Sequence, residues 1–381
     1  MSEQLLAQLL TLPPAEQLAA WEALACAWGF ADARKSAINL ADLAEKLPDP
    51  VLLAAVARQA LGSADPDMAL NHLERCSQQQ NAALLRQCLQ QEHPRAVLLT
   101  LLGASSFLTG TLCRFPALFG ELFVEGEIDQ AKDSTLMRTQ IEQRLDSACD
   151  LAGLQRVLRQ YKQREILRIA ARDLSGLASL QEVTAELSNL AAASLQVACS
   201  QCERLLQLEY GVPQVAAGEP LEPAFTVLAM GKFGGWELNF SSDIDLIYFY
   251  ATAQGRTSGI DGRGDSRIEL HSYYVKLAER VTHALAQVTE DGFVFRVDLN
   301  LRPEGRSGEL ACSLAAAESY YESWGQNWER CALMKARPVA GDIALGQRLL
   351  KSLEPFIYRR YLDYGMVEDL RQMKLKIDNS L

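Results

Sequence analysis

Apolar residues recur at spacings of three and four through roughly the first 210 positions, with breaks at Pro13 and Pro14, between Pro48 and Pro50, at Pro66 and at Pro94. That pattern predicts an all-helical first half, closed by two long helices over roughly 151–173 and 178–208. The stretch GVPQVAAGEPLEP (211–223) then concentrates Gly and Pro with few periodic apolar positions, which marks a connection. Beyond it the period changes. AFTVLAM (224–230), DIDLIYFY (243–250) and GFVFRVDLNL (292–301) are short runs rich in β-branched and aromatic residues, and they predict strands. In the last run Phe293, Phe295, Val297, Leu299 and Leu301 alternate with Val294, Arg296, Asp298, Asn300 and Arg302. One face is expected in the core and the other along a polar site. Between the strands, 251–267 is polar and Gly-rich and predicts a mobile loop. A helix is expected over 268–288, with Leu270, Tyr274, Leu277, Val281, Leu285 and Val288 as its buried stripe.

After Cys312 the helical patterns return. The expected fold is therefore α+β and predominantly helical: a helical region over 1–222, a small sheet domain over 223–312 and a second helical region over 313–381. The last segment, MKLKIDNSL, carries no cap or closing turn and reads as the interior of a longer chain. A length of 381 residues leaves room for two or three domains, each with its own core.

Composition narrows the classes. At 49% hydrophobic and 22% charged residues the chain is globular, neither disordered nor fibrous. A net charge of -11 argues against broad binding to nucleic acid or an anionic membrane, so attraction for phosphate must come from local geometry or a metal. Nine scattered cysteines point to free thiols in a reducing compartment, and the acidic start MSEQLLAQLL lacks the basic region of a secretory signal; both suit the cytoplasm. Cys199 and Cys202 form a CxxC, but they continue the helical stripe of Leu187, Ala191 and Leu195 with no second pair, which favours helix packing over zinc. The uncharged run 96–113 approaches the length of a membrane span, yet its Gly, Ser and Thr residues fit a buried helix with a break better.

The candidate chemistry lies in GKFGGWELNFSSDIDL (231–246). Gly231, Gly234 and Gly235 let backbone amides approach an anion closely, although a tight turn without a ligand explains the glycines equally well. Asp243 and Asp245, two apart at a strand start, point to one side, where like charges call for a metal or a proton. Hard oxygens at that spacing suit Mg²⁺, which keeps waters and binds substrate phosphates. Acidic pairs at strand starts are common, so the pair needs support. Asp298 on the polar face of the later strand supplies a third carboxylate, and three can hold two metals for in-line displacement at phosphorus.

The basic candidates have two accounts each. Arg302 reaches a phosphate oxygen or pairs with Glu304 or Glu309; Lys232 aims at phosphate or pairs with Glu237. Lys335 and Arg337, in a helical pattern after Trp328, close over a nucleotide or answer a helix dipole. His271 and His283 read as surface residues.

The glycine loop, SSDID and a later strand aspartate together resemble the nucleotidyltransferase superfamily. The words GKFGGWELNFSSDIDLIYFY, DGFVFRVDLNLRPEGRSGELACSL, YYESWGQNWERCALMKARPVAGD and FIYRRYLDYG are more narrowly similar to the bifunctional glutamine synthetase adenylyltransferase/adenylyl-removing enzymes. The likeness is strong and ordered over about 224–369, fainter over 95–223, and closer to the adenylyl-removing half. It implies a polymerase β-like small mixed sheet flanked by helical regions. It implies Mg²⁺ on Asp243, Asp245 and Asp298, with Gly231, Lys232, Gly234, Gly235, Ser241, Ser242 and Arg302 around nucleotide or phosphate. The implied reaction is phosphorolysis of adenylyl-tyrosine on glutamine synthetase to ADP, with the PII signalling protein as a partner and no role for nucleic acid or membrane. AMP transfer from ATP, or nucleotide binding without catalysis, are the alternatives left open.

Overall fold

The computed structural model describes residues 14–78, 82–217 and 222–358, with positions 6, 9, 12, 371, 372 and 375 besides. Most of the phrase FIYRRYLDYG lies outside the described residues. The chain forms two units, one of Met1–Ala131 with Gln163–Val183, the other of Lys132–Lys162 with Thr184–Leu381.

The first unit is helical, and its local sequence explains its boundaries. Asp49 and Asp65 each precede a proline and cap a helix, accepting from Val51 N and Met68 N, so Pro50 and Pro66 stand where a missing N–H is harmless. Pro50 and Pro66, which interrupt the apolar pattern, are thus helix starts. Ser105 caps Ser106–Arg114 in the same way, after a bend of 119° from Glu92–Leu102 that breaks the uncharged run as expected. No single described helix is long and apolar enough to cross a membrane.

A buried ion network sits inside this unit. Glu165, fully buried, accepts from Arg164 and, at 2.7 Å, from Arg168. Arg164 also reaches Glu121 at 2.8 Å and Glu127, while Arg168 and Arg172 donate to the backbone carbonyls of Gln130 and Asp129.

The two long helices form over Leu151–Leu174 and Leu180–Tyr210, and the second keeps Cys199 and Cys202 inside its packing. Burial pushes the Cys202 thiol up to about 12 and Cys199 well above its ordinary value, as packing inside the helix requires.

The second unit is built on a five-stranded mixed sheet. β2 (Phe225–Ala229) is central and fully buried, antiparallel to β3 (Ile244–Tyr250) on one side and to β7 (Arg337–Gly341) on the other. The far edge of β3 takes two short parallel partners in succession: β5 (Val297–Asp298) at its start and β6 (Ala311–Ser313) at its end. Helices cover both faces. Phe225 and Tyr250 stack against Tyr274 of Leu270–Ala286, with Tyr250 and Tyr274 at 4.9 Å, and Tyr248 stacks on Phe225. On the opposite face Leu228, Ile247 and Phe249 meet Leu314, Tyr321, Leu345 and Leu349. Separately, β1 (Pro213–Val215) pairs antiparallel with β4 (Gly255–Thr257), which places ordered strands in the expected connection and in the expected loop. Both segments are too polar and Gly-rich to show a strand period.

Three further expectations need correction. The 292–301 run contributes two strand residues only, because Val294 N and Phe295 N donate back to Leu285 O and Asp298 folds onto Asn300 N in a turn. Val294 is therefore buried, and the expected alternation fails at its start. Val288 is 67% exposed, beyond the end of its helix. β7 lies in a region read as helical; its Pro338 stands at a register shift on an edge strand, where a missing N–H is tolerated, and so weak a five-residue signal is overridden by the need of β2 for a second partner.

Candidate active site

The end of β2, the start of β3 and β5 meet at one end of the sheet. Met230 N donates to Asp245 O at 2.9 Å and Ile244 N to Arg296 O at 2.9 Å, so the backbone ladder itself sets the glycine turn and both acidic segments side by side. Asp245 stands directly opposite Asp298 in the parallel register of β3 and β5. Asp243 precedes the strand, exposed.

Asp245 is half-buried, and among the described residues no donor bonds its carboxylate. Burial, then Asp298, then Asp243 raise its pKa above the ordinary 3.8, while Lys232 opposes them. Gly231 lies against it at φ +54, and a Cβ there would fall 2.6 Å from Asp245 Oδ2. A crowded acidic group without a donor, beside a glycine that makes room for its oxygen, fits a divalent cation. The outer aspartates have internal partners. Asp298 accepts from Asn300 N at 2.7 Å and Nδ2 at 3.1 Å, and Asp243 accepts from Arg296. In this arrangement no three His, Cys, Asp or Glu side chains among the described residues are grouped to hold a metal ion.

Because the folded-state pKa of Asp245 is raised, its ionised form opposes folding above 3.8, and the penalty fades as pH falls through the raised value. Metal-free Asp245→Asn protein should therefore resist urea better than the parent at pH 7, with the difference vanishing towards pH 4; chemical unfolding at both pH values checks this.

The remaining glycines act structurally. Gly234 N donates to Met230 O at 2.9 Å and Gly235 N to Gly231 O at 3.2 Å, which closes the short helix Gly231–Gly234. A Cβ on Gly234 would lie 2.0 Å from Lys335 O and 2.8 Å from Ala229 O, both backbone atoms with little room to yield. Gly234→Ala should cost about 1–3 kcal/mol of stability, read as a lower urea midpoint.

Arg337 clamps the turn. It donates to Phe233 O at 3.0 Å and Gly234 O at 3.2 Å and lies 3.7 Å over the ring of Trp236, itself at φ +60; burial lowers its pKa to about 10. Beside this pair opens a cavity of about 290 Å³, lined also by Arg138, Gln196 and Val339. Lys335 pairs with Glu237 at 2.7 Å, which leaves Lys232 exposed next to Asp245. Arg302 donates to Leu299 O, Arg306 O and Gly308 O and braces its own loop, rather than pairing with Glu304 or Glu309. Ser241 is exposed, its carbonyl bonded by Arg296, and Ser242 Oγ accepts from Asn239 N. His283 is exposed as expected, with Gln155 beside it, and His271 is half-exposed and bonds Tyr250 at 2.8 Å.

Two residues escaped notice as parts of the site. Arg296 had a signal, since it shares the polar alternation with Asp298. Arg159 had none: buried within a long helix, it donates to Gly292 O, Ala284 O, Gln155 O and Gln287 O, tying the end of Leu270–Ala286 to the turn that leads into β5.

Residues 95–352 match the family model for glutamate-ammonia ligase adenylyltransferase. A bifunctional glutamine synthetase adenylyltransferase/adenylyl-removing enzyme from Nitrosococcus oceani is 43% identical over 280 residues, 73% of this chain and 28% of the relative. Enzymes of the same name from Thioalkalivibrio sulfidiphilus and Psychromonas ingrahamii are 40% and 37% identical, over 78% and 83% of this chain and 30% and 32% of their own. The chain thus spans about a third or less of the length of these relatives. Since the family model covers well over half of the chain, including all three aspartates and the glycine turn, the protein belongs to the glutamate-ammonia ligase adenylyltransferase family.

Proposed function

We propose that this chain carries the adenylyl-removing activity of its family: AMP passes from an adenylyl-tyrosine of glutamine synthetase to inorganic phosphate, releasing ADP. The observation that carries the proposal is the register of Asp245 against Asp298, beside a glycine whose missing side chain makes room for the Asp245 oxygen. The arrangement is read as a nucleotidyltransferase-like core within 223–312, completed by β7 from beyond it. The phrases NFSSDID and DGFVFRVD incline the direction towards removal.

Asp243, Asp245 and Asp298 would hold Mg²⁺. When bound, Mg²⁺ supplies neutralisation of phosphoryl charge and of the departing oxygen. Lys232, exposed beside Asp245, orients the attacking phosphate, and the hydroxyls of Ser241 and Ser242 line its approach. Gly231, Gly234 and Gly235 keep the turn close to the acidic strands. A phosphate oxygen bonds to the α-phosphorus as the bond to the tyrosine oxygen breaks; the electron pair leaves with the phenolate, which takes a proton from water. A phenol of pKa about 10 leaves readily enough that no dedicated acid is required. Glutamine synthetase is the protein substrate and PII the regulatory partner in this reading, and the free thiols suit the cytoplasm.

Incubation with adenylylated glutamine synthetase, phosphate and Mg²⁺ should release ADP. Label transfer from ATP to unmodified synthetase, without ADP release from the adenylylated form, would instead assign the opposite direction.

A further inference from the structure

Asp243 Oδ1 accepts from Arg296 Nε at 2.5 Å, and Nη2 of the same guanidinium donates to Ser241 O at 2.7 Å. The pair is fixed from below: Arg296 O receives Ile244 N, so the ladder holds the arginine opposite the start of β3 whatever its side chain does. The side chains are 57% and 49% exposed, and an ion pair that open is weak enough to exchange.

A guanidinium on Asp243 Oδ1 and a divalent cation on the same carboxylate compete for its charge and repel each other. Of the other basic groups near the turn, Lys335 is committed to Glu237, Arg337 to Phe233 O and Gly234 O, and Arg302 to three carbonyls of its loop, while Lys232 is exposed beside Asp245. Arg296 differs because its carboxylate partner is a candidate metal ligand, so metal binding would release a cation beside the metal. Lys162, stacked 5.2 Å over Phe293 and near enough to feel the charge of Arg296, disfavours retreat on that side.

We propose that Arg296 is an internal counter-cation of Asp243, which yields that oxygen to the divalent ion and then contacts the phosphate that arrives with it. The inference rests on the reading of the aspartates as divalent-ion ligands. It adds a substrate-contacting residue to the reaction and makes metal and phosphate binding cooperative through one side chain.

The test measures Mn²⁺ affinity of the whole chain by electron paramagnetic resonance, with and without inorganic phosphate. Without phosphate, Arg296→Gln should bind Mn²⁺ about three- to fivefold more tightly than the parent, the scale of an exposed ion pair. The control Arg306→Gln removes the same charge from the neighbouring loop, where it touches Asn300 and no aspartate, and should change affinity less than about twofold. Phosphate should tighten Mn²⁺ binding more in the parent than in Arg296→Gln, where Lys232 is left to hold it. Equal or weaker Mn²⁺ binding by Arg296→Gln, an equal gain in the control, or an undiminished phosphate effect in Arg296→Gln overturns the inference while leaving the ligand reading intact. Absence of Mn²⁺ binding from the parent overturns both.

Discussion

Asp245→Asn combined with Asp298→Asn should lower the rate of ADP release from adenylylated glutamine synthetase by at least about 10²-fold, the scale of losing one preorganised charge-stabilising group. The two side chains face each other across β3 and β5, so the double change removes both carboxylates at the point where a cation would neutralise them. The loss should fall on turnover rather than on folding. Neither residue supports the hydrophobic core, and an amide in place of Asp245 relieves burial and the repulsion of Asp298 and Asp243. A circular dichroism spectrum and urea midpoint no worse than those of the parent, together with lost activity, would separate chemistry from stability. Unchanged ADP release would remove the metal reading altogether.

Glu165→Gln should destabilise the first unit by about 3–5 kcal/mol. Glu165 is fully buried and bonds Arg164 and Arg168, whose side chains are 4% and 0% exposed. Its charge is what keeps two buried guanidinium groups compensated at this point, although Arg164 retains Glu121 and Glu127. Glutamine preserves the shape and can still accept hydrogen bonds, so the expected loss is electrostatic rather than steric. The direction of the Arg164 pKa agrees: burial pulls it down, and Glu165, Glu121 and Glu127 outweigh burial and raise it. Urea unfolding followed at 222 nm measures the effect, and a midpoint equal to the parent's would show that the remaining carboxylates suffice.

Much of the fold was legible where side-chain period and local chemistry agree. The long helices, the bent pair at 92–114, and strands β2 and β3 all carry enough residues for their period to stand out. Legibility failed in two physical circumstances. Short strands such as β7 and β5 exist because a neighbouring strand needs a partner, and two to five residues carry too little pattern of their own. Polar contacts between distant segments, such as Lys335 with Glu237 and Arg159 with Gly292, have no local signature, so the competing accounts of the basic residues could not be resolved from spacing.

The sequence by itself determined the helical character of the first half, the change to strands near 224, and the presence of Asp243, Asp245 and Asp298 in segments able to lie side by side. Residue type and spacing suffice for those conclusions, because helix caps, strand alternation and carboxylate chemistry are local. Only the tertiary structure decided that Asp245 faces Asp298, that Arg296 occupies Asp243, and that Arg302 and Arg337 brace backbone carbonyls. Those pairings depend on which strand lies beside which, and strand neighbours are chosen by burial over the whole sheet rather than by the residues that end up touching.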